Sequence, residues 1–275
     1  MAVIGVVGLG VMGLGIAQVY AAAGHRVIAA DGVAAARDTA LARLRAGLAP
    51  RVAAGKMTTA GMAALLARIT IADVAALQPC DLIIEAIAEK LEAKQALFAL
   101  LETVSQAVLA TNTSSLSVAA IAEGLARPQR VIGLHFFNPA PAMKLVELIA
   151  TAGADPQAQA LARELTTSAG KVVVACADTP GFIVNRCARP YYGEALALLE
   201  EGRGAAEIDA AMVAAGYRLG PFALIDLIGA DINLAATEGL AAAMGHHPRY
   251  HVFEALRTQV RRGDLGRKTG RGFVF

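Results

Sequence analysis

Tryptophan is missing from this chain of 275 residues, aromatic residues of all kinds make up 5%, and charged residues only 17%. With 56% apolar residues, so little charge is incompatible with a disordered chain. Neither sign of charge dominates. The 25 Lys and Arg against 23 Asp and Glu leave +2, and no basic field is available to attract nucleic acid or an anionic membrane surface. Cysteine is scarce too. Cys80, Cys176 and Cys187 are odd in number and too widely spaced for a CxxC redox or zinc pair, which argues against a disulfide framework, fits a reducing cytoplasm and leaves all three as packing residues. The uncharged opening from Met1 to Gly24 lacks the basic start of a signal peptide and is broken by Gly5, Gly8, Gly10, Gly13 and Gly15, so neither leader nor membrane anchor is expected. These exclusions leave a globular protein whose partner is a small molecule.

What the chain does have is rhythm. Short β-branched runs, VIGVVG, RVIAA, ITIA, DLIIEAI, VLATN, VIGLHFF, KLVELIA and KVVVACA, alternate with alanine-rich stretches of helical character. Most of the runs are apolar without alternation, as in strands buried on both faces. The expected fold is therefore α/β, a Rossmann-type and mainly parallel sheet between layers of helices. NPAPAM, between VIGLHFF and KLVELIA, is too short to hold a crossover helix, which predicts an antiparallel hairpin at the sheet edge. After Val174 the strand signals stop, and DTPG punctuates the chain before a helical remainder. Residues 1–180 are expected to form the sheet domain and residues 181–275 an all-α C-terminal domain. In the latter, LIDLIGADINLAATEGLAAAMG reads as helix, apolar over more of its circumference than a small domain hides, which predicts a homodimer through this region.

The first run ends in GLGVMG, a GxGxxG turn formed by Gly8, Gly10 and Gly13 between strand and helix. The first glycine permits the tight turn, the second lets a pyrophosphate approach the backbone around Met12, and the third lets helix and strand touch. The helix N-terminus offers its unpaired N–H groups to the anion. Asp31 ends the second run, 23 residues after Gly8, where a carboxylate accepts from both ribose hydroxyls. The same charge repels a 2′-phosphate, and Gly32 follows where an arginine would favour NADP, so the expected cofactor is NAD.

Of the five histidines, His135 lies inside an apolar strand run, where a titratable ring needs a partner or a purpose. In an antiparallel hairpin centred on Pro141, residues equidistant from the centre face each other, which sets Glu147 beside His135. A carboxylate on one imidazole nitrogen fixes the tautomer and leaves the other for an alcohol proton, although a buried structural pair has the same spacing. TNTSSLS, Thr111 to Ser117, follows a strand at the carboxyl edge, where open α/β sheets bind ligands; its hydroxyls can orient a substrate oxygen, or Ser114 or Ser115 can cap the next helix. Asn185 is an amide in an apolar run, a pattern shared with satisfied core groups. His246, His247 and His251 lack a local carboxylate or cysteine to complete a metal site, and none is expected; His25 reads as a surface-loop residue.

GLGVMGLGIA, EAIAEKLEAK, TNTSSLS, GLHFFNPAPAMKLVELI, DTPGFIVNR, GPFALIDLIG and LGRKTGRGF together, and in this order, resemble the (S)-3-hydroxyacyl-CoA dehydrogenases, including bacterial 3-hydroxybutyryl-CoA dehydrogenases, over essentially the whole chain. The resemblance implies NAD-dependent oxidation of a 3-hydroxyacyl-CoA to the 3-oxo thioester, with His135 as base and Glu147 as its orienting acid. It implies that Ser114 and Asn185 bind the reacting oxygen and the thioester end, that Glu89, Lys94, Asn138 and Lys268 contact the cofactor, and that Lys56 lies near the CoA phosphate. RPYYGEALALLEEG and LIGADIN are most similar to the subgroup that oxidises 3-hydroxyadipyl-CoA in phenylacetate degradation. The chain departs from the family at its end, GFVF with Val274, and at His251 and Val252, where arginine and proline are frequent. Two alternatives are a 3-hydroxyisobutyrate-type dehydrogenase, whose helical KxxxN lysine is missing here, and a non-catalytic NAD-binding sensor or structural protein, which has no need of Ser114, His135, Glu147 and Asn185 together.

Overall fold

A computed structural model describes residues 1–275, which divide into two compact units, Met1–Thr179 and Pro180–Phe275. In the first unit β1 (Val3–Val7), α1 (Val11–Ala22), β2 (Arg26–Ala30), α2 (Ala34–Ala53), α3 (Thr59–Leu66), β3 (Ile69–Ala72), β4 (Leu82–Glu85), α4 (Leu91–Val104) and β5 (Val108–Thr111) come first. A short α5 (Val118–Ile121), β6 (Val131–Phe136), β7 (Leu145–Ala150), α6 (Pro156–Ser168) and β8 (Val172–Ala177) complete it. All eight apolar runs become strands of one sheet, ordered β3-β2-β1-β4-β5-β6-β7-β8. The order reverses direction between β1 and β4, the position at which an open α/β sheet forms its binding crevice.

Ile4, Val6, Ile84, Leu134, Val146 and Leu148 are at most 2% exposed within a single apolar core. Each such side chain stabilises the fold by about 1.5–3 kcal/mol relative to an exposed one. The buried hydroxyls of Tyr20 and Thr166 tie α1 to α6 at 2.8 Å, and burial pushes the Tyr20 phenol well above its ordinary range.

The β6–β7 pair is antiparallel as expected, but it is not the sheet edge: β8 adds to β7 in parallel, returning through α6, and exposes Val172 and Val174 as the edge strand. Other expectations also need correction. His25 is buried rather than at the surface; its Nδ1 accepts from the Ala2 N–H at 3.2 Å, and desolvation lowers its pKa. The cap of α5 is Ser117, accepting from Ala120 N–H, and neither Ser114 nor Ser115. Cys187 is exposed, and so is not a packing residue.

The second unit contains α7 (Val184–Glu200), α8 (Ala205–Ala214), α9 (Pro221–Ile228), α10 (Ala230–Ala243) and α11 (Glu254–Arg261), packed around Tyr192, Leu196, Ile208, Phe222, Ile225 and Leu256. The segment that reads as one helix is two, because Gly229 takes φ +111° between α9 and α10, a conformation that breaks the helical ladder. Two buried aspartates organise this unit. Asp209 accepts the Phe222 and Ala223 N–H groups at 2.8 Å and so caps α9. Asp226 accepts from the N–H groups of Phe273, Val274 and Phe275 and anchors the chain end on α9.

Candidate active site

The glycine turn is shaped by contacts that no side chain would survive. A Cβ on Gly13 would lie 1.7 Å from the Gly8 carbonyl oxygen, and one on Gly8, whose φ is +98°, would lie 2.6 Å from the Ala86 carbonyl oxygen. At Gly10 a Cβ would meet nothing within 4 Å, so the backbone there faces open space. No side chain caps α1, and its first N–H groups point into that space. Asp31 ends β2 with its carboxylate fixed by the N–H groups of Leu9 and Val33, both at 2.8 Å. An uncapped helix start over an open glycine and a pinned carboxylate at the end of β2 fit the pyrophosphate and ribose of NAD. Arg37 and Arg43 fold back from α2 onto the same turn, donating to the Asp31 and Leu9 carbonyls at 2.6 and 2.8 Å. Beside it a cavity of about 500 Å³ is lined by Val11, Gly15, Arg43, Arg51, Asn138 and Pro141.

At the ends of β4 and β5 a polar network holds the TNTSS loop. The Lys94 ammonium, 1% exposed, donates to Glu85 at 2.6 Å and lies 3.2 Å from Glu89. Glu85, fully buried, also accepts from Thr111 Oγ1 at 2.8 Å and Ile87 N–H at 2.7 Å. Glu89 accepts from Thr113 Oγ1 at 2.6 Å, Ser114 N–H at 2.9 Å and Ser115 Oγ at 3.1 Å. Burial pushes the Glu89 carboxyl up, yet Lys94 and these donors outweigh it and hold it below its ordinary value. Asn112 Oδ1 accepts from Phe136 N–H at 2.8 Å and ties the loop to β6, while Asp178 holds its far end through Ser117 Oγ and the N–H groups of Val118 and Ala119.

His135 and Glu147 are register partners across β6 and β7, and Glu147 Oε2 lies 2.7 Å from His135 Nδ1. The pair is 6% and 1% exposed, with the Phe137 ring 4.4 Å from the imidazole. Because β6 runs parallel to β5, His135 stands at the same carboxyl edge as the glycine turn, Asp31 and the TNTSS loop. The first unit thus gathers its sequence-derived candidates on one edge, apart from Lys56, which is exposed between α2 and α3. In the second unit Asn185 occupies the first turn of α7, and Lys268 is paired with Asp231 at 2.5 Å. Sequence reasoning missed Asn112, Glu85 and Asp178. Their signal was a polar side chain at or just beyond the end of an apolar run, too common a pattern to single them out.

Comparison with known proteins adds independent support. The family described as 3-hydroxyacyl-CoA dehydrogenase, NAD binding domain, matches residues 3–179, and its C-terminal domain matches residues 181–275. The chain is 46% identical to 3-hydroxyadipyl-CoA dehydrogenase of Escherichia coli over 98% of its own length, but spans only 58% of that protein. It is 40% identical to 3-hydroxybutyryl-CoA dehydrogenase of Clostridioides difficile, covering 98% of this chain and 97% of that one. Among solved structures, a 3-hydroxybutyryl-CoA dehydrogenase from Escherichia coli superposes with a TM-score of 0.95 at 45% identity, over 99% of this chain and 59% of the other. With a glycine turn built for a dinucleotide, a buried His–Glu pair on the same sheet edge and matches over both units, the chain belongs to the 3-hydroxyacyl-CoA dehydrogenase family.

Proposed function

We propose that this protein oxidises (S)-3-hydroxyacyl-CoA to 3-oxoacyl-CoA with NAD. The observation that carries the reading is the 2.7 Å contact between His135 Nδ1 and Glu147 at the edge that also bears the glycine turn. The Glu147 carboxylate selects the tautomer protonated at Nδ1, which leaves the Nε2 lone pair to take the C3 hydroxyl proton. When the ring is protonated, Glu147 provides the balancing negative charge, with no water needed in a site this buried. NAD, when bound, accepts the hydride that leaves C3. Ser114, whose N–H donates to Glu89, is assigned the donor to the substrate oxygen, and Asn185 is assigned the thioester oxygen. Holding such groups in place is worth about 7–11 kcal/mol of barrier in well-oriented systems. Gly8, Gly10, Met12, Gly13 and Asp31 hold the dinucleotide. Within the cofactor assignments made from the resemblance, Lys94 acts through Glu89, since its ammonium is enclosed by Glu85 and Glu89. Arg43 and Arg51 in the cavity wall, with Lys56 following in the chain, suit the phosphates of CoA.

The same reading includes a homodimer through the second unit, supported by the exposed Val213, Leu227, Ile228 and Ile232. It also includes a cytoplasmic location, which three free cysteines suit; no helix is long and apolar enough to cross a membrane. Following NADH consumption with acetoacetyl-CoA, alongside NADPH, tests the activity. Turnover with NADH is the expected result, and silence in protein that binds NADH would favour a sensor or structural role.

A further inference from the structure

The buried cation of the second unit has no counter-charge. Arg189, on α7, is 7% exposed. Its Nη1 donates to the Asn233 carbonyl at 3.2 Å and to Thr237 Oγ1 at 3.1 Å, and its Cζ lies 4.8 Å over the Tyr192 ring. These partners are neutral. No carboxylate of the chain is within ion-pair distance of the guanidinium, and its Nε has no protein partner. Beside it, Asn233 is 1% exposed, and its side-chain oxygen and nitrogen both lack a protein partner. Burial disfavours the charged guanidinium and lowers its pKa from the ordinary value. A buried charge without a counter-ion, next to a buried amide with two unmet groups, is costly and marks a place where an anion belongs.

Position along α7 says which anion. Arg189 follows Asn185 by four residues, so both start from one side of the helix about 6 Å apart along its axis. That span is comparable to the distance between the two ends of an extended adipyl chain. We propose that Arg189, together with the Asn233 amide, receives the terminal carboxylate of a dicarboxylic 3-hydroxyacyl-CoA, making Arg189 a specificity-determining residue. The inference rests on the reading above, in which Asn185 holds the thioester end of the substrate. The guanidinium fork fits a carboxylate through parallel N–H donors, and its Nε has no partner in the protein. An alkyl end of the same length would leave the guanidinium buried and unpaired, and discrimination follows from that asymmetry.

Adipyl-CoA and hexanoyl-CoA differ only in the terminal carboxylate, and their binding to the native protein by calorimetry, and as inhibitors of acetoacetyl-CoA reduction, tests the inference. Adipyl-CoA should bind about 10-fold to 100-fold more tightly, the range expected of hydrogen bonds to a charged group. In Arg189→Met the preference should fall to near unity, and Arg189→Lys should keep part of it. The ratio of kcat/KM for 3-oxoadipyl-CoA over 3-oxohexanoyl-CoA should move in parallel. Equal or tighter binding of hexanoyl-CoA by the native protein overturns the inference, whether or not the variants fold. So does an Arg189→Met variant that weakens both thioesters alike, or one whose mass by light scattering halves while the preference survives, which would mean that a second copy of the chain meets the charge. A native protein that reduces acetoacetyl-CoA without preferring the acid refutes this inference alone. One that binds NADH and reduces neither 3-oxo thioester refutes the proposed function with it.

Discussion

In the proposed reaction the buried carboxylate of Glu147 orients His135 through Nδ1, and the imidazole serves as the base. Replacing His135 with Ala should lower kcat by about two to four decades. NADH binding, followed by its fluorescence, should persist, because the glycine turn is built from other residues. Glu147→Gln keeps the size of the side chain but loses the charge that balances a protonated ring, so it should lower kcat more than it raises KM. Asp31 sets the second expectation at this scale. Its carboxylate is fixed by Leu9 and Val33, and Arg37 and Arg43 lie against the same turn. Asp31→Ser therefore removes the negative charge that repels a 2′-phosphate while two cations remain nearby. The ratio of kcat/KM for NADH over NADPH should fall by at least about tenfold, which is about 1.4 kcal/mol. An unchanged ratio would show that Asp31 does not read the ribose.

Among the elements, the loop after β5 is held by Glu89 as well as by its own threonine hydroxyls. Glu89→Gln retains a side chain of the same length but weakens three donors at once and leaves Lys94 with Glu85 alone. Faster amide exchange over residues 113–117, with the rest of the sheet unchanged, is the expected outcome in hydrogen–deuterium exchange. All eight strands were readable as apolar runs, and so was the facing of His135 and Glu147, because a short hairpin loop leaves little freedom of register. The edge was not readable: a strand buried on both faces and an edge strand such as KVVVACA have the same apolar composition, and only the long-range order of the sheet separates them. The break at Gly229 was obscured by apolar continuity on both sides of a single glycine. The network around Glu89 was invisible for a related reason, since it joins residues up to 26 positions apart through side chains of ordinary type.

On the scale of the whole molecule, the proposed homodimer rests on the apolar residues exposed on the second unit. Leu227 and Ile228 are 45% and 39% exposed and Ile232 is 54% exposed. Light scattering should give twice the chain mass, and Leu227→Glu with Ile232→Glu should shift it towards the monomer; a native monomer at micromolar concentration would refute the dimer. Another consequence belongs to the sheet. Glu147 sits on a strand paired on both sides, to β6 and to β8, and it can reach His135 only when the β6–β7 pairing is in register. A slip by one residue would turn the carboxylate to the opposite face of the sheet while leaving the strand content unchanged. Recovery of turnover after denaturation therefore counts correctly aligned chains, and any excess of circular dichroism signal over regained activity measures the misaligned fraction.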